Sequence, residues 1–179
     1  MAFGFGHLII AWLVGKLVQW ASSLKNAAKI IQLTRIEWAL LLFGAILPDA
    51  DHLLDWTIGT NIHRVITHSI VFAVLIGLLV AGLAVILKKK YPFFSPIRYG
   101  LFISLGVLTH IVADMAAGHP GVGLLWPLQG FYYFFGHVPS YATTMFVDNI
   151  YRDLQWAIFD IGLGVAWLGY FVVRDKIRF

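Results

Sequence analysis

The sequence predicts an all-α fold: a polytopic integral membrane bundle of about five transmembrane helices in a single domain, residues 1–179. Three observations predict it. Of the 179 residues, 60% are hydrophobic and only 12% charged, where a soluble domain carries about 25%, and mean hydropathy is +0.81. The apolar residues form runs long enough to cross a hydrocarbon core of ~30 Å. The basic residues collect in short links between those runs, which is a topology signal and gives no argument for nucleic acid. There are no cysteines, so disulfides and thiolate metal sites are excluded. Any metal must be held by His, Asp, Glu or backbone oxygen.

Each element follows from local pattern. Phe3 to Trp20 is mostly apolar, carries His7, Lys16 and Gln19, and is just long enough to span. It lacks a basic start and a small-residue cleavage site, so a retained span is expected and not a signal peptide. Residues 21–35 are a polar link. Ile36 to about Leu54 reads as the second span, kinked at Pro48, whose missing N–H leaves the Gly44 carbonyl without its helical partner. A short loop with Gly59 and Asn61 precedes the third span, His63 to Leu87, which Lys88, Lys89 and Lys90 close. Pro92 and Pro96 punctuate the next link. Arg98 to Ala117 is the fourth span and Ile150 to Val173 the fifth. Between them, residues 118–149 are rich in Gly, Pro and aromatics. The uncharged stretch Leu124 to Phe135 is too punctuated for a span and reads as an interfacial or re-entrant flap beside the polar cluster.

The positive charge orients the bundle. Apart from Lys16, Arg64 and Arg152, every Lys and Arg lies in the links 21–35 and 88–98 or in the tail 174–179. Basic links face the cytoplasm, so the N-terminus is expected outside and the C-terminus inside. That topology brings four sequence-distant groups to the outer face. They are His7, then Asp49, Asp51, His52 and Asp55, then His63, Arg64 and His68, and finally His110 and Asp114. At 1.5 Å per residue they lie within roughly two helical turns of one interface.

These residue types are metal ligands. Asp51 and Asp55 are four apart and share a helix face, with His52 bordering it. His110 and Asp114 have the same spacing inside an apolar run, where ionisable groups are costly and usually functional. His63 and His68 converge if His63 sits in the entry turn of span three, with Asn61 as its N-cap. Thr67 and Ser69 either support these ligands or bond back to the helix entry. Arg64 either clamps an anionic oxygen such as phosphate or pairs with Asp49 or Asp55. His119 adds a ligand from the outer loop, and His137 reads as interfacial. Asp49 or Asp55 is the candidate general base. Deeper in the bundle, Lys16 and Asp160 are expected to pair, because unpaired charges there are expensive.

The set His7, Leu47-Pro48-Asp49-x-Asp51-His52, His63-Arg64-x3-His68-Ser69 and His110-x3-Asp114 resembles the YdjM-like family of membrane-bound metal-dependent hydrolases. The order of ligands is also similar to that of zinc-dependent phospholipase C, which would assign His7, Asp51, His68 or His63, His110, Asp114 and His119. That pattern ends in His-x3-Glu, whereas here Tyr141 follows His137 at the same spacing and no Glu follows Glu37. A three-metal site is therefore not expected.

The sequence thus predicts a membrane-embedded hydrolase. It would use one or two divalent ions per chain, zinc foremost with manganese or iron as alternatives, on a lipid or other phosphoester at the extracytoplasmic face. Membrane lipids are the expected partners. The competing readings are a metal-ion or proton transporter and a non-catalytic, metal-stabilised membrane protein. The topology is testable by labelling: Thr60→Cys should react with an impermeant thiol reagent from outside and Lys89→Cys only from the cytoplasm. Reaction of both from one side would overturn it.

Overall fold

The computed structural model of the chain describes residues 4–25, 32–59, 63–117, 121–138 and 150–175. In chain order the helices are α1 (Gly4–Lys25), α2 (Arg35–Gly44), α3 (Asp51–Ile58), α4 (Ile70–Lys88), α5 (Pro96–Ala117) and α6 (Ile150–Asp175). A single 3-10 turn, Pro48–Ala50, links α2 to α3. A two-stranded hairpin, β1 (Phe131–Tyr133) and β2 (Gly136–Val138), lies between α5 and α6. Among the described residues, α1, α4, α5 and α6 are long and apolar enough to cross a membrane. α5 is the central post: 56% of its span is buried, against 17% in α1 and α4 and 11% in α6.

Ile36–Leu54 is not a single span. α2 starts at a capping box, with Glu37 N–H on the Thr34 hydroxyl and Thr34 N–H on the Glu37 carboxylate. It ends after ten residues, about 15 Å of helix and half a hydrocarbon core. The proline does more than kink the helix. Regular α-helix stops at Gly44, the chain turns through Ala45–Leu47, and Pro48 opens the 3-10 turn that leads into α3. Four continuous spans remain, and α2 with the Pro48 turn makes a broken passage beside α5, from Arg98 at one end to His110 at the other. The span expected from His63 begins at Ile70, with Ser69 as its cap: the Ser69 hydroxyl accepts from Phe72 N–H at 3.1 Å. Residues 63–69 are turns in front of it.

Close helix crossings hold the post. A methyl group at Gly44 would lie 2.4 Å from the Ile103 carbonyl oxygen, and one at Gly106 2.2 Å from that of Leu41. α2 and α5 therefore touch backbone to backbone, the packing that small residues permit between membrane helices. α4 meets α5 the same way, since a methyl at Gly100 would sit 2.6 Å from the Gly77 carbonyl oxygen. Ser104 Oγ ties that crossing to Ala73 O at 2.7 Å. Leu41, Ala45, Ala11 and Phe102 fill one apolar cluster, and Ala73, Val107, Ile111 and Val122 a second. At the end of α2 remote from Gly44, buried Glu37 receives Arg98 Nε at 2.6 Å and Nη2 at 2.9 Å, a bidentate clip between α2 and α5.

Lys16 and Asp160 do not pair. Both Asp160 oxygens accept the opening N–H groups of α1, from Phe5 at 3.0 Å and Gly6 at 2.6 Å. Lys16 Nζ instead lies over the Trp12 and Trp38 rings, 5.6 and 5.7 Å from their centroids. α1 and α6 run parallel, but the eleventh residue of α6, Asp160, is level with the start of α1, so equal distance into each helix is not equal depth. Residues 121–138 form a strap beside the polar cluster. Gly123 N–H reaches Arg64 O at 2.6 Å and Ile70 N–H reaches Leu124 O at 3.0 Å, holding the turns before α4. The hairpin tip does stay exposed, with Phe134 at 55% and Phe135 at 89%.

Gly106→Ala should force α2 from α5 and cost roughly 1–3 kcal/mol by overpacking, read as a lower melting temperature in detergent. Gly82→Ala, whose new methyl would meet nothing within 4 Å, should melt like the wild type. Equal melting of both variants would refute the tight crossing.

Candidate metal centre

Each polar group is delivered by a local feature already described. The 3-10 turn and α3 carry Asp49, Asp51, His52 and Asp55. The turns before α4 carry His63, Arg64 and His68, α5 carries His110 and Asp114, and α1 carries His7. They converge. His7, Asp51, Arg64, His68, His110 and Asp114 are all 3% exposed or less.

The proton positions follow from the partners. His110 Nδ1 is 2.7 Å from Ala45 O. A carbonyl only accepts, so Nδ1 bears the proton and Nε2 a lone pair. Thr67 Oγ1 gives its one proton to Asp51 Oδ2 at 2.5 Å and so accepts from His68 Nδ1 at 2.9 Å. His68 Nε2 therefore also presents a lone pair. These two Nε2 atoms face each other at 3.0 Å, and two lone pairs so close repel unless a cation lies between them.

Carboxylates flank the pair. Asp49 Oδ1 is 3.4 Å from His110 Nε2 and 3.7 Å from His68 Nε2. Asp114 Oδ2 is 3.4 Å from His68 Nε2 and 3.8 Å from His110 Nε2. Ligands at about 2.0–2.2 Å around a tetrahedral zinc sit ~3.4 Å apart, and the separations within Asp49, His68 and His110 are close to that; His7, His110 and Asp114 form an adjoining group of possible ligands. The imidazoles are backed by Ala45 O and by Thr67 and Asp51, the outer contacts that orient metal-bound histidines. His7 adds Nε2 at 3.6 Å from Asp114 Oδ1 and stacks on His110 at 3.8 Å between centroids.

A second set adjoins the first. His63 Nδ1 is 2.8 Å from Asp51 Oδ1, and His68 Nδ1 is 3.5 Å from Asp51 Oδ2. His52 stacks on His63 at 3.7 Å. Groups of possible ligands here are Asp51, His63 and His68, and Asp49, His52 and His63. Asp55 Oδ2 accepts His63 N–H at 3.2 Å, which anchors the loop.

Burial alone would raise the Asp49 and Asp51 carboxyls. The neighbouring polar groups outweigh it, His110 and His68 beside Asp49 and His63, His68 and Thr67 beside Asp51, and hold both well below the usual carboxylate range. Burial likewise lowers His68, but Asp114, Asp49 and Asp51 pull it up to about 10. Without a metal, the demand for a cation between the imidazoles is thus met by a proton. Burial and the neighbouring His63 push His52 down.

Arg64 pairs with neither Asp49 nor Asp55. Its Nη2 is 3.4 Å from Asp114 Oδ1 and its Nη1 3.5 Å from Gly121 O. Its backbone is left-handed, at φ +66°, a conformation costing a non-glycine residue about 1–3 kcal/mol. Arg64 Nε is buried without a hydrogen-bond partner. His119 and Asn61 lie outside the described residues, as does the side chain of Asp153. His137 is exposed on the hairpin, stacked on Tyr132. Sequence reasoning left Thr67 between two roles; its place beside His68 was the one signal for the supporting role found here. It missed the Ala45 and Gly121 carbonyls, which no side-chain motif marks.

The YdjM inner membrane protein family matches residues 1–176, and the chain belongs to that family. The inner membrane protein YbcI of Escherichia coli (strain K12) is 38% identical over 89 residues, 46% of this chain and 49% of YbcI. The match covers about half the length of that relative. No solved structure matches the chain. The protein is integral to the membrane and has buried His/Asp clusters that could hold a metal ion.

Protein purified in detergent with zinc should hold one or two equivalents, measured by plasma mass spectrometry. Asp114→Ala should lose one or both. Thr67→Val should keep the stoichiometry but weaken affinity about 10–100-fold, as loss of an outer contact does. Wild-type protein that takes up no metal on titration would refute the centre.

Proposed function

We propose that this member of the YdjM inner membrane protein family is a metal-dependent hydrolase cleaving a lipid or other phosphoester at the extracytoplasmic face. The observation that carries the reading is the facing pair of His68 and His110 lone pairs, flanked by Asp49 and Asp114. Zinc suits imidazoles with a carboxylate, as in Asp49, His68 and His110, and manganese or iron can substitute. One ion belongs to that set with His7 beside it. A second has Asp51 and His63 with His68, or His52 and His63 with Asp49. A bound divalent ion polarises a phosphoryl oxygen and lowers the pKa of coordinated water from 15.7 to about 7.

The chain's own groups supply the rest. Asp49 is 31% exposed at its side chain, whereas His68, His110 and Asp114 are buried, so a substrate reaches the centre past Asp49. We assign Asp49 to the ligands because its Oδ1 faces both imidazoles. Asp55 positions His63 and so holds the loop. Arg64 is fixed by Asp114 and Gly121 while its Nε remains unpartnered, and it is the cation that would offset charge developing on a phosphoryl oxygen. Its strained backbone is consistent with a functional placement. The N-terminus outside and C-terminus inside, as the basic links require, place this end of the bundle at the outer headgroup level.

A second reading has its own observation. The rings of His7, His110, His68, His63 and His52 follow one another at 3.8, 4.8, 5.1 and 3.7 Å between centroids, a ladder that could relay protons. The ladder lies across one end of the bundle and does not continue along the helices: among the described residues the one further histidine, His137, lies on the hairpin. Hydrolysis is therefore favoured over transport.

Zinc-loaded protein should hydrolyse chromogenic phosphoesters. Arg64→Ala should lower kcat by about 100-fold with metal content retained, and Arg64→Lys should restore part of it. A metal-replete wild type inert toward phosphomonoesters and phosphodiesters alike, yet conducting protons or zinc in proteoliposomes, would replace this reading with the second.

A further inference from the structure

Beside the metal centre an open groove of about 490 Å³ runs between α1 and α6. Gly4 and Leu8 form one wall, Ala157 and Ile161 the other, and Ile46 and Asp49 the floor. The volume is that of a small-molecule site. Its chemistry is one-sided. The Asp160 carboxylate at its edge is taken up by the Phe5 and Gly6 N–H groups. Among the described residues, Asp49 is then the one ionisable group left facing the groove, and it also faces His68 and His110.

From the groove, we infer that it binds the hydrocarbon chain of a phospholipid whose phosphate sits at the metal centre that Asp49 borders, and that the substrate enters sideways from the bilayer. This rests on the hydrolase reading above. Both walls are parts of candidate spans, so the surroundings of the groove are lipid. Its rim is apolar and exposed, Ile161 at 56% and Ile46 at 37%. It continues into the exposed face of α6 at Ile158 and Val165, 63% and 66%. An unbroken apolar path therefore leads from the lipid-facing surface to a carboxylate of the metal centre. A wholly water-soluble phosphoester gains nothing from such a path. An amphiphile buries its chain along it and is left with its polar end at the metals. Ala157 and Gly4 are then the residues that set the bore. A methyl at Gly4 would meet nothing within 4 Å, so enlarging it fills the groove without disturbing the backbone.

The test uses full-length protein in phosphatidylcholine nanodiscs and an alkyl phosphate with a terminal diazirine as photoprobe. Labelling should map to residues 4–8 and 157–161. Excess dodecyl phosphate should reduce it at least tenfold; glycerol phosphate, which has no chain, should not. Ala157→Phe and Gly4→Leu should each lower it at least tenfold while keeping metal content and cleavage of a short chromogenic phosphoester. Labelling spread evenly over the lipid-facing helices, or unchanged in both variants, means bystander lipid and overturns the inference. Absence of labelling at α1 and α6 means the groove is closed by another part of the chain and also overturns it. Capture of the probe without hydrolysis of any phosphoester supports the groove and removes the hydrolase. Hydrolysis of the short ester without capture removes the groove alone.

Discussion

The polar end of this bundle depends on the crossing of α2 over α5 at Gly44 and Gly106. With no side chain on either residue the two backbones touch, and the Ala45 carbonyl comes within 2.7 Å of His110 Nδ1. That one bond sets the tautomer of His110 and turns its Nε2 toward His68. A larger residue at either glycine would move the carbonyl away, and the imidazole would lose both its orientation and its proton assignment. The crossing also ends near Pro48, so the helix that makes the contact is the one that breaks to deliver Asp49 and Asp51. Packing and ligand geometry are one constraint here.

Burying this much charge is expensive. Each ion taken from water costs several kcal/mol that only good geometry repays. The cluster meets this cost by alternation. Asp114 lies between His7, Arg64 and the His68–His110 pair, and Asp51 between His63, Thr67 and His68. The resulting field favours positive charge at the centre, held by a proton on His68 or by a metal. Arg64, in a left-handed backbone beside the 121–138 strap, reaches Asp114 with Nη2 and the Gly121 carbonyl with Nη1, and Gly123 lets the strap approach that backbone. A methyl at Gly123 would lie 2.7 Å from Val65 O.

The departures from sequence-based expectation share a cause. Counting residues from the start of each apolar run placed Lys16 and Asp160 at one depth. The offset between parallel α1 and α6 puts Asp160 at the first turn of α1, where its carboxylate suits the exposed N–H groups and the positive end of the helix dipole. Hydropathy likewise joined Ile36–Leu54 into one span, because the composition around Pro48 stays apolar while the backbone has already turned. Arg64 was open to Asp49 or Asp55 by sequence proximity, but its partner came from α5, fifty residues on.

Composition and charge pattern alone determined that this is a helical membrane protein, and the spacing of His and Asp determined which residues would gather at one end. Those properties are additive along the chain: apolar runs must be buried in lipid, and ionisable groups within them must find one another. Tertiary structure alone decided which nitrogen of each imidazole is bare, that Thr67 relays Asp51 to His68, that Asp49 faces both the metal centre and a groove, and that α2 stops short of a span. Each of these depends on where a backbone carbonyl or a neighbouring helix lies in space, and helix offsets and crossings are set by side-chain volume at contacts far apart in sequence.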